Sequence, residues 1–212
     1  MANKNSGKES GKGKKDNLTR NLVIGMVVLV IAVMGGLTVA SHQSSSKATV
    51  PSSVSKADGY GIVFNPSASP QIDIWEDFQC PICQHFEALN NSTINQVARS
   101  GLAKVVFHPM SFIGAESVLA ANAAACAADQ GKYLEMHEAL YANQASSENS
   151  GKFTNNFLTA LGDSTGITSK TFASCVANGK YLDWTKNIEA DAAKHNVTGT
   201  PTVFINGKEI NR

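Results

Sequence analysis

Apolar positions along the chain form one long unbroken run and then, after a polar gap, a series of short patterned ones. Leu22 to Ala40 carries no charge and is about as long as the roughly 20 residues that cross a bilayer as a helix. Residues 41–59 are Ser-rich and lack an apolar period, which predicts a flexible tether. Patterned segments begin at Tyr60-Gly61-Ile62-Val63-Phe64, a short β-type run ended by Asn65-Pro66. In 71–78, alternation puts Ile72, Ile74 and Phe78 on one strand face and Asp73, Trp75 and Asp77 on the other. From Cys80 to about Ser100 the apolar residues Ile82, Phe86, Leu89, Ile94 and Val97 fall near one helical stripe, which Gly101 ends. Residues 103–110 read as a strand and complete a β-α-β unit.

The middle third is helical by the same reasoning. Ala115 to about Asn143 is rich in Ala, Leu, Met and Glu and broken at Gly131, which predicts two helices. Further helices are expected over 151–163, 168–178 and about 181–195. The end is a hairpin signal, Thr202-Val203-Phe204-Ile205, Asn206-Gly207, Lys208-Glu209-Ile210. The fold class is therefore mixed α/β with an inserted all-helical lobe at about 114–178, and no internal repeat is visible.

Charge changes the picture only at the N-terminus. The net charge of the 212 residues is +1, which gives no reason to expect a nucleic-acid partner. Residues 1–21 form a basic tail with Lys4, Lys8, Lys12, Lys14, Lys15 and Arg20 against Glu9 and Asp16. A basic flank stays cytoplasmic, so 22–40 is expected to be a signal anchor with the rest of the chain outside. The alternative is a secreted protein, because Thr38-Val39-Ala40 also suits signal cleavage.

All four cysteines, Cys80, Cys83, Cys126 and Cys175, fall in the segment expected to be exported, where disulfides persist. Cys80-Pro81-Ile82-Cys83 sits between a strand-like run and a helix. At a helix N-terminus the first sulfur meets free N–H groups and the positive end of the dipole, which favour thiolate. The pair therefore reads as redox chemistry. Zinc sites use the same spacing, but a metal would need further ligands from His85, His108, His137 or the second cysteine pair, and no second tight pair exists. No metal or cofactor is assigned. Cys126 and Cys175 read as a structural staple, with two buried free thiols as the alternative. Trp75 and Trp184 read as core or lobe-packing residues, and His85 as a solvated helix residue, with an influence on Cys80 from one turn into the helix as the alternative.

Phe78-Gln79-Cys80-Pro81-Ile82-Cys83, the helical insert beginning near Ala115, and Thr198-Gly199-Thr200-Pro201-Thr202-Val203-Phe204-Ile205-Asn206-Gly207 together resemble the DsbA-like thiol-disulfide oxidoreductases of the thioredoxin superfamily, membrane-anchored actinobacterial forms among them. The resemblance covers about residues 60–212 and implies a thioredoxin-like fold. It implies Cys80 as exposed nucleophile, Cys83 as buried partner, Pro201 as a cis-proline and Thr200 as the residue offering backbone hydrogen bonds to an extended substrate. Pro81 and Ile82 would tune the site, and a Cys126–Cys175 disulfide occurs in some such proteins. Partners implied are exported, unfolded or reduced proteins and a membrane quinone-linked reoxidase. Disulfide formation is the expected direction; isomerase or reductase activity, or a non-catalytic metal- or peptide-binding role, are the alternatives.

Three departures from the resemblance carry expectations. Ile82 stands where many relatives place His, which predicts a less extreme Cys80 thiol and a less oxidising couple. Ile74 stands where relatives bury a carboxylate, so Glu76 on the same strand face becomes the candidate proton acceptor for Cys83, with an exposed strand-end Glu as the alternative. Relatives also follow the last hairpin with a helix that covers the sheet, whereas this sequence stops at Arg212; either the sequence is a truncated fragment or the protein does without that helix, and lost cover is expected to expose apolar sheet surface.

Overall fold

In a computed structural model of the chain the described residues are 48–210. The basic tail, the expected anchor at 22–40 and the tether up to residue 47 lie outside them. Among the described residues no helix is long and apolar enough to cross a membrane.

Six strands among the described residues form one sheet: β1 (Val54–Ser55), β2 (Gly61–Phe64), β3 (Gln71–Asp77), β4 (Lys104–Met110), β5 (Thr202–Ile205) and β6 (Lys208–Glu209), ordered β1-β2-β4-β3-β5-β6. Only β3 and β4 run parallel, with Ile74 opposite Phe107. The connection between them is helix α1 (Pro81–Ser100), which starts with Pro81 in its first turn and ends on Gly101 at φ 76°, where a left-handed residue closes the helix most easily. β3 is also antiparallel to β5, with Asp73 opposite Phe204. Both Asn206 and Gly207 have positive φ, 50° and 75°, as the two-residue turn between β5 and β6 requires.

The helical lobe comprises α2 (Ala115–Ala128), α3 (Tyr133–Ala142), α4 (Asn155–Ser164) and α5 (Lys170–Ala177), followed by α6 (Thr185–Lys194). Gly131, at φ 67°, separates α2 from α3. Thr154 and Ser169 cap α4 and α5, their hydroxyls accepting from the N–H of Phe157 and Phe172. The small side chains of α2, Ala120, Ala121 and Ala123 to Ala128, are buried, so its neighbours pack close to its backbone. Cys126 of α2 is bonded to Cys175 of α5, S–S 1.98 Å and Cα–Cα 5.8 Å.

Three details differ from the sequence expectations. The end of the stretch read as tether is part of the domain: β1 pairs with β2, Asp58 forms an ion pair with Lys104, and Val50 and Val54 pack on the core. Two valines and a charge partner supplied what a Ser-rich composition concealed. β3 is buried on both faces from Asp73 to Asp77, because it is a central strand. The rings of Phe107, Tyr133 and His137 cover one face, while Trp75 stacks on His108 at 4.0 Å and meets Phe204 and His195 on the other. The stripe of α1 is rotated from the one expected: Ile82 and Leu89 are 62% and 71% exposed, while Cys83 and Glu87 face inward. At the sheet edge, Ile205 and Ile210 are exposed.

Candidate functional site

The chain turns from β3 into α1 through Asp77-Phe78-Gln79-Cys80, and buried polar groups hold that turn. Asp77, fully buried, accepts from the Gln79 N–H at 2.9 Å, the Ser117 hydroxyl at 2.6 Å and the Ile113 N–H at 3.3 Å. Burial pushes its carboxyl up to about 6, against those hydrogen bonds. Gln79 donates to Ser117 at 2.9 Å and accepts from the Asn149 N–H at 2.7 Å. From the lobe, the Gln144 amide donates to the carbonyls of Phe78 and Cys80 at 2.9 and 3.0 Å. The helical insert thus fixes the backbone that presents the cysteines.

Cys80 is the N-cap of α1 in extended conformation, φ −72° and ψ 118°, and Cys83 lies one turn on, wholly buried. Both are free thiols, and both are buried: Cys80, expected to be exposed, keeps only 8% of its surface because it packs against the Thr200 loop. The Cys80 sulfur is 3.5 Å from the carbonyl oxygen of Thr200, and the Thr200-Pro201 bond is cis. β5 begins at Thr202 beside β3, which is how residues 120 positions apart meet. A hydrogen bond from Cys83 is the largest cause that pulls the Cys80 thiol down to about 5; burial opposes it, and Thr200 and the N–H groups of Cys83 and Ile82 assist. Cys83 is pushed far up, first by burial, then by its bond to Cys80 and the charge of Glu76. One thiol is set to be an anion and the other to keep its proton, the asymmetry that thiol-disulfide exchange uses. Pro81 and Ile82 lie exposed beside the sulfurs.

Glu76 is buried at 4% exposure and is not an exposed strand end. It meets His137 of α3, Oε2 to Nε2 3.1 Å, while His137 Nδ1 faces Glu87 Oε2 at 3.7 Å. Burial pushes the carboxyls of Glu76 and Glu87 each up to about 8 and pushes His137 down. These three residues bring one ligand atom each within 4.8 Å of one another, the only such group among the described residues. The metal ligands considered for the cysteine pair are dispersed: Cys126 and Cys175 are consumed in their disulfide, His85 is exposed, and His108 bonds Asp73 on the other sheet face. An apolar cavity of about 290 Å³ lies beside the Thr200 loop, lined by Met110, Phe112, Val197 and Gly199 among others.

Sequence reasoning gave no role to Asp77, Gln79, Ser117, Gln144 and Glu87, and considered His137 only as a metal ligand for the cysteine pair. Asp77 and Glu87 left signals: an Asp two residues before a helix-opening Gln79 N–H suits an Asx turn, and Glu87, four residues after Cys83, shares its helix face.

A thioredoxin family profile matches residues 60–212, and the chain belongs to that family. Its fold is that of the DsbA-like thiol-disulfide oxidoreductases. MdbA from Actinomyces oris, a thiol-disulfide oxidoreductase, superposes with TM-score 0.68 at 22% identity, covering 79% of this chain and 84% of that one. Oxidised DsbA from Mycobacterium tuberculosis gives 0.60 at 26% identity, over 77% and 84%. BdbD from Bacillus subtilis gives 0.64 at 23% identity, over 78% and 91%. No curated protein matches the chain.

Proposed function

We propose that this chain forms disulfides in exported proteins, with Cys80 as nucleophile and Cys83 as its partner. In the oxidised enzyme, a substrate thiolate attacks the Cys80 sulfur, the Cys80–Cys83 bond breaks, and its electron pair leaves with Cys83, which takes up a proton. A second substrate thiolate then attacks the substrate sulfur of the mixed disulfide and expels Cys80 as thiolate. The substrate loses two electrons and gains a disulfide, while the enzyme pair is reduced.

The observation that carries this reading is the depressed Cys80 thiol beside a buried, protonated Cys83. Stabilising the thiolate stabilises the reduced enzyme and makes the couple oxidising. A thiol at about 5 lies between thioredoxin at about 7 and DsbA at about 3.5. That supports a disulfide donor milder than relatives with His at the position of Ile82. Thr200 at the mouth of the site, with the apolar cavity beside it, suits an extended, unfolded chain. The uncharged run 22–40 behind a basic tail supports a single-pass membrane protein with its catalytic domain outside, or, if cleaved, a secreted one. A membrane quinone-linked reoxidase would complete the cycle.

The test is redox titration of the full chain against glutathione. A potential between about −120 and −270 mV, with oxidation of a dithiol peptide at catalytic concentration, is the expected result. A potential at the thioredoxin value would make the protein a reductant and overturn the direction proposed.

A further inference from the structure

Disulfide exchange at Cys80 needs its sulfur in one place, 3.5 Å from the Thr200 carbonyl and within reach of the N–H groups of Ile82 and Cys83. The backbone of residues 78–81 sets that place. Pro81 has no N–H, so the peptide plane joining Cys80 to Pro81 can be gripped only by its oxygen. Two donors grip it: the Gln84 N–H at 3.1 Å, which opens the ladder of α1, and the Gln144 side-chain amide at 3.0 Å. The same amide nitrogen donates to the Phe78 carbonyl at 2.9 Å. A carboxamide carries two N–H groups on one nitrogen, and here both go to carbonyls two residues apart, on either side of Gln79. Gln144 therefore staples the peptide plane that enters the turn to the plane that leaves it through Cys80.

The staple is firmly mounted. Gln144 comes just after α3, its own N–H donating to the Tyr141 carbonyl at 3.2 Å, and that carbonyl also accepts the Gln84 side-chain amide at 2.9 Å. Five residues on, the Asn149 N–H bonds Gln79 at 2.7 Å. The loop then closes on Glu116 of α2, whose two carboxylate oxygens accept from the Gly151 and Phe153 N–H groups at 2.6 and 2.8 Å. Both ends of the loop are thus fixed to the lobe, and Gln144 itself is half-buried. Hydrogen bonds from such a frame hold the turn well, because little conformational entropy remains to be lost in forming them.

We infer that Gln144 is a positioning residue for the reaction: through the carbonyls of Phe78 and Cys80 it keeps the Cys80 sulfur against Thr200 and the N–H groups of Ile82 and Cys83, and so sets how strongly the thiolate is stabilised. The inference rests on the disulfide chemistry proposed above. It goes beyond that reading by placing part of the control of the couple in the lobe, on a residue whose amide hydrogens go to main-chain oxygens rather than to sulfur. With the staple in place, passage between the Cys80–Cys83 bond and the mixed disulfide needs rotation about the Cys80 side chain alone. Without it the plane before Pro81 turns as well, and the thiolate loses its donors part of the time.

The test compares the full chain with Gln144→Met, which keeps the length of the side chain and removes both donors, and Gln144→Lys, which restores a donor at similar reach. Three quantities are read: the ultraviolet thiolate midpoint of Cys80, the equilibrium with glutathione, and the urea midpoint. Gln144→Met should leave about threefold to tenfold less thiolate at a pH below the midpoint, the net worth of about one hydrogen bond. The glutathione equilibrium should move toward the oxidised enzyme by the same factor, because a less stable thiolate makes a less oxidising couple. Gln144→Lys should bring both back toward wild type. A Met variant that loses urea stability but keeps the wild-type thiolate midpoint and glutathione equilibrium would show a structural tie alone and overturn the inference. A Met variant in which nothing changes, or a Lys variant no nearer to wild type, also overturns it. If Gln144→Met does not fold, NMR of the reduced wild type decides: Gln144 side-chain amide protons slow to exchange with solvent are expected, and exchange as fast as in a free glutamine overturns the inference. A wild type that does not oxidise a dithiol peptide overturns the proposed function, while the thiolate midpoint, which needs no substrate, still judges Gln144.

Discussion

Replacing Cys83 by Ala removes the hydrogen bond that is the largest cause of the depressed Cys80 thiol and leaves the helix N-terminus and Thr200 in place. A hydrogen bond to a charged group is worth about 1.5–3 kcal/mol, and one pKa unit corresponds to about 1.4 kcal/mol. The midpoint should therefore rise by about one to two pH units, from about 5 to roughly 6–7. Cys83→Ser keeps an O–H donor at the same point and should stay nearer the wild type. Thiolate ultraviolet absorbance of the full chain reads this directly, since Cys126 and Cys175 are bonded and do not titrate. A Cys83→Ala midpoint within a few tenths of a pH unit of wild type would refute the argument, as would a wild-type midpoint near the ordinary 9.0. The same shift fixes a stability trend. A thiol depressed on folding stabilises the reduced protein above its unfolded value and loses that contribution as pH falls through the folded value. The melting temperature of the reduced form, relative to the oxidised form, should therefore climb between about pH 5 and pH 9 and level off below pH 5, where the contribution is gone.

Other outcomes follow from the packing. Mutating both Cys126 and Cys175 to Ala opens a loop of 49 residues and should cost about 4 kcal/mol by loop-closure entropy, seen as a lower denaturant midpoint; a loss below about 1 kcal/mol would refute it. Gly162→Ala sets a Cβ 2.1 Å from the Phe172 ring and should destabilise the lobe by about 1–3 kcal/mol, measured by the same denaturation. Ser117→Ala strips Asp77 of its shortest hydrogen bond and should cost about 1–3 kcal/mol, while raising the Asp77 carboxyl above about 6 in a carboxyl NMR titration. With Glu76 and Glu87 raised on folding, the stability of wild type should fall as pH rises from 4.5 through about 8; thermal melts that are flat over that range would contradict it.

Much of the fold was legible because its signals are local. Asn206-Gly207 marks a turn whose geometry needs two positive φ values, and Gly101 and Gly131 end helices for the same steric reason. The Cys80/Cys83 pair announced itself through spacing and through its place between strand and helix. What stayed hidden depends on pairing across the sheet and lobe. Glu87 shares the helix face of Cys83, but as a charged residue it reads as solvated, and only His137, 50 positions later, and Glu76 on β3 give it a reason to face inward. With Cys83 also needing to be buried, α1 turned until Ile82 and Leu89 met solvent. Asp77 looked like an alternating polar position and proved to be the post around which Gln79, Ser117 and Ile113 are arranged.

The disulfide of the lobe has a consequence for the life of the molecule before it works. Cys126 has no exposed surface and Cys175 almost none, so an oxidant reaches them only while α2 and α5 are still apart. A newly made copy is therefore itself a client of disulfide chemistry and must receive this bond while it matures. If disulfide donation is its trade, older copies can finish younger ones, and the stock of mature protein becomes self-seeding.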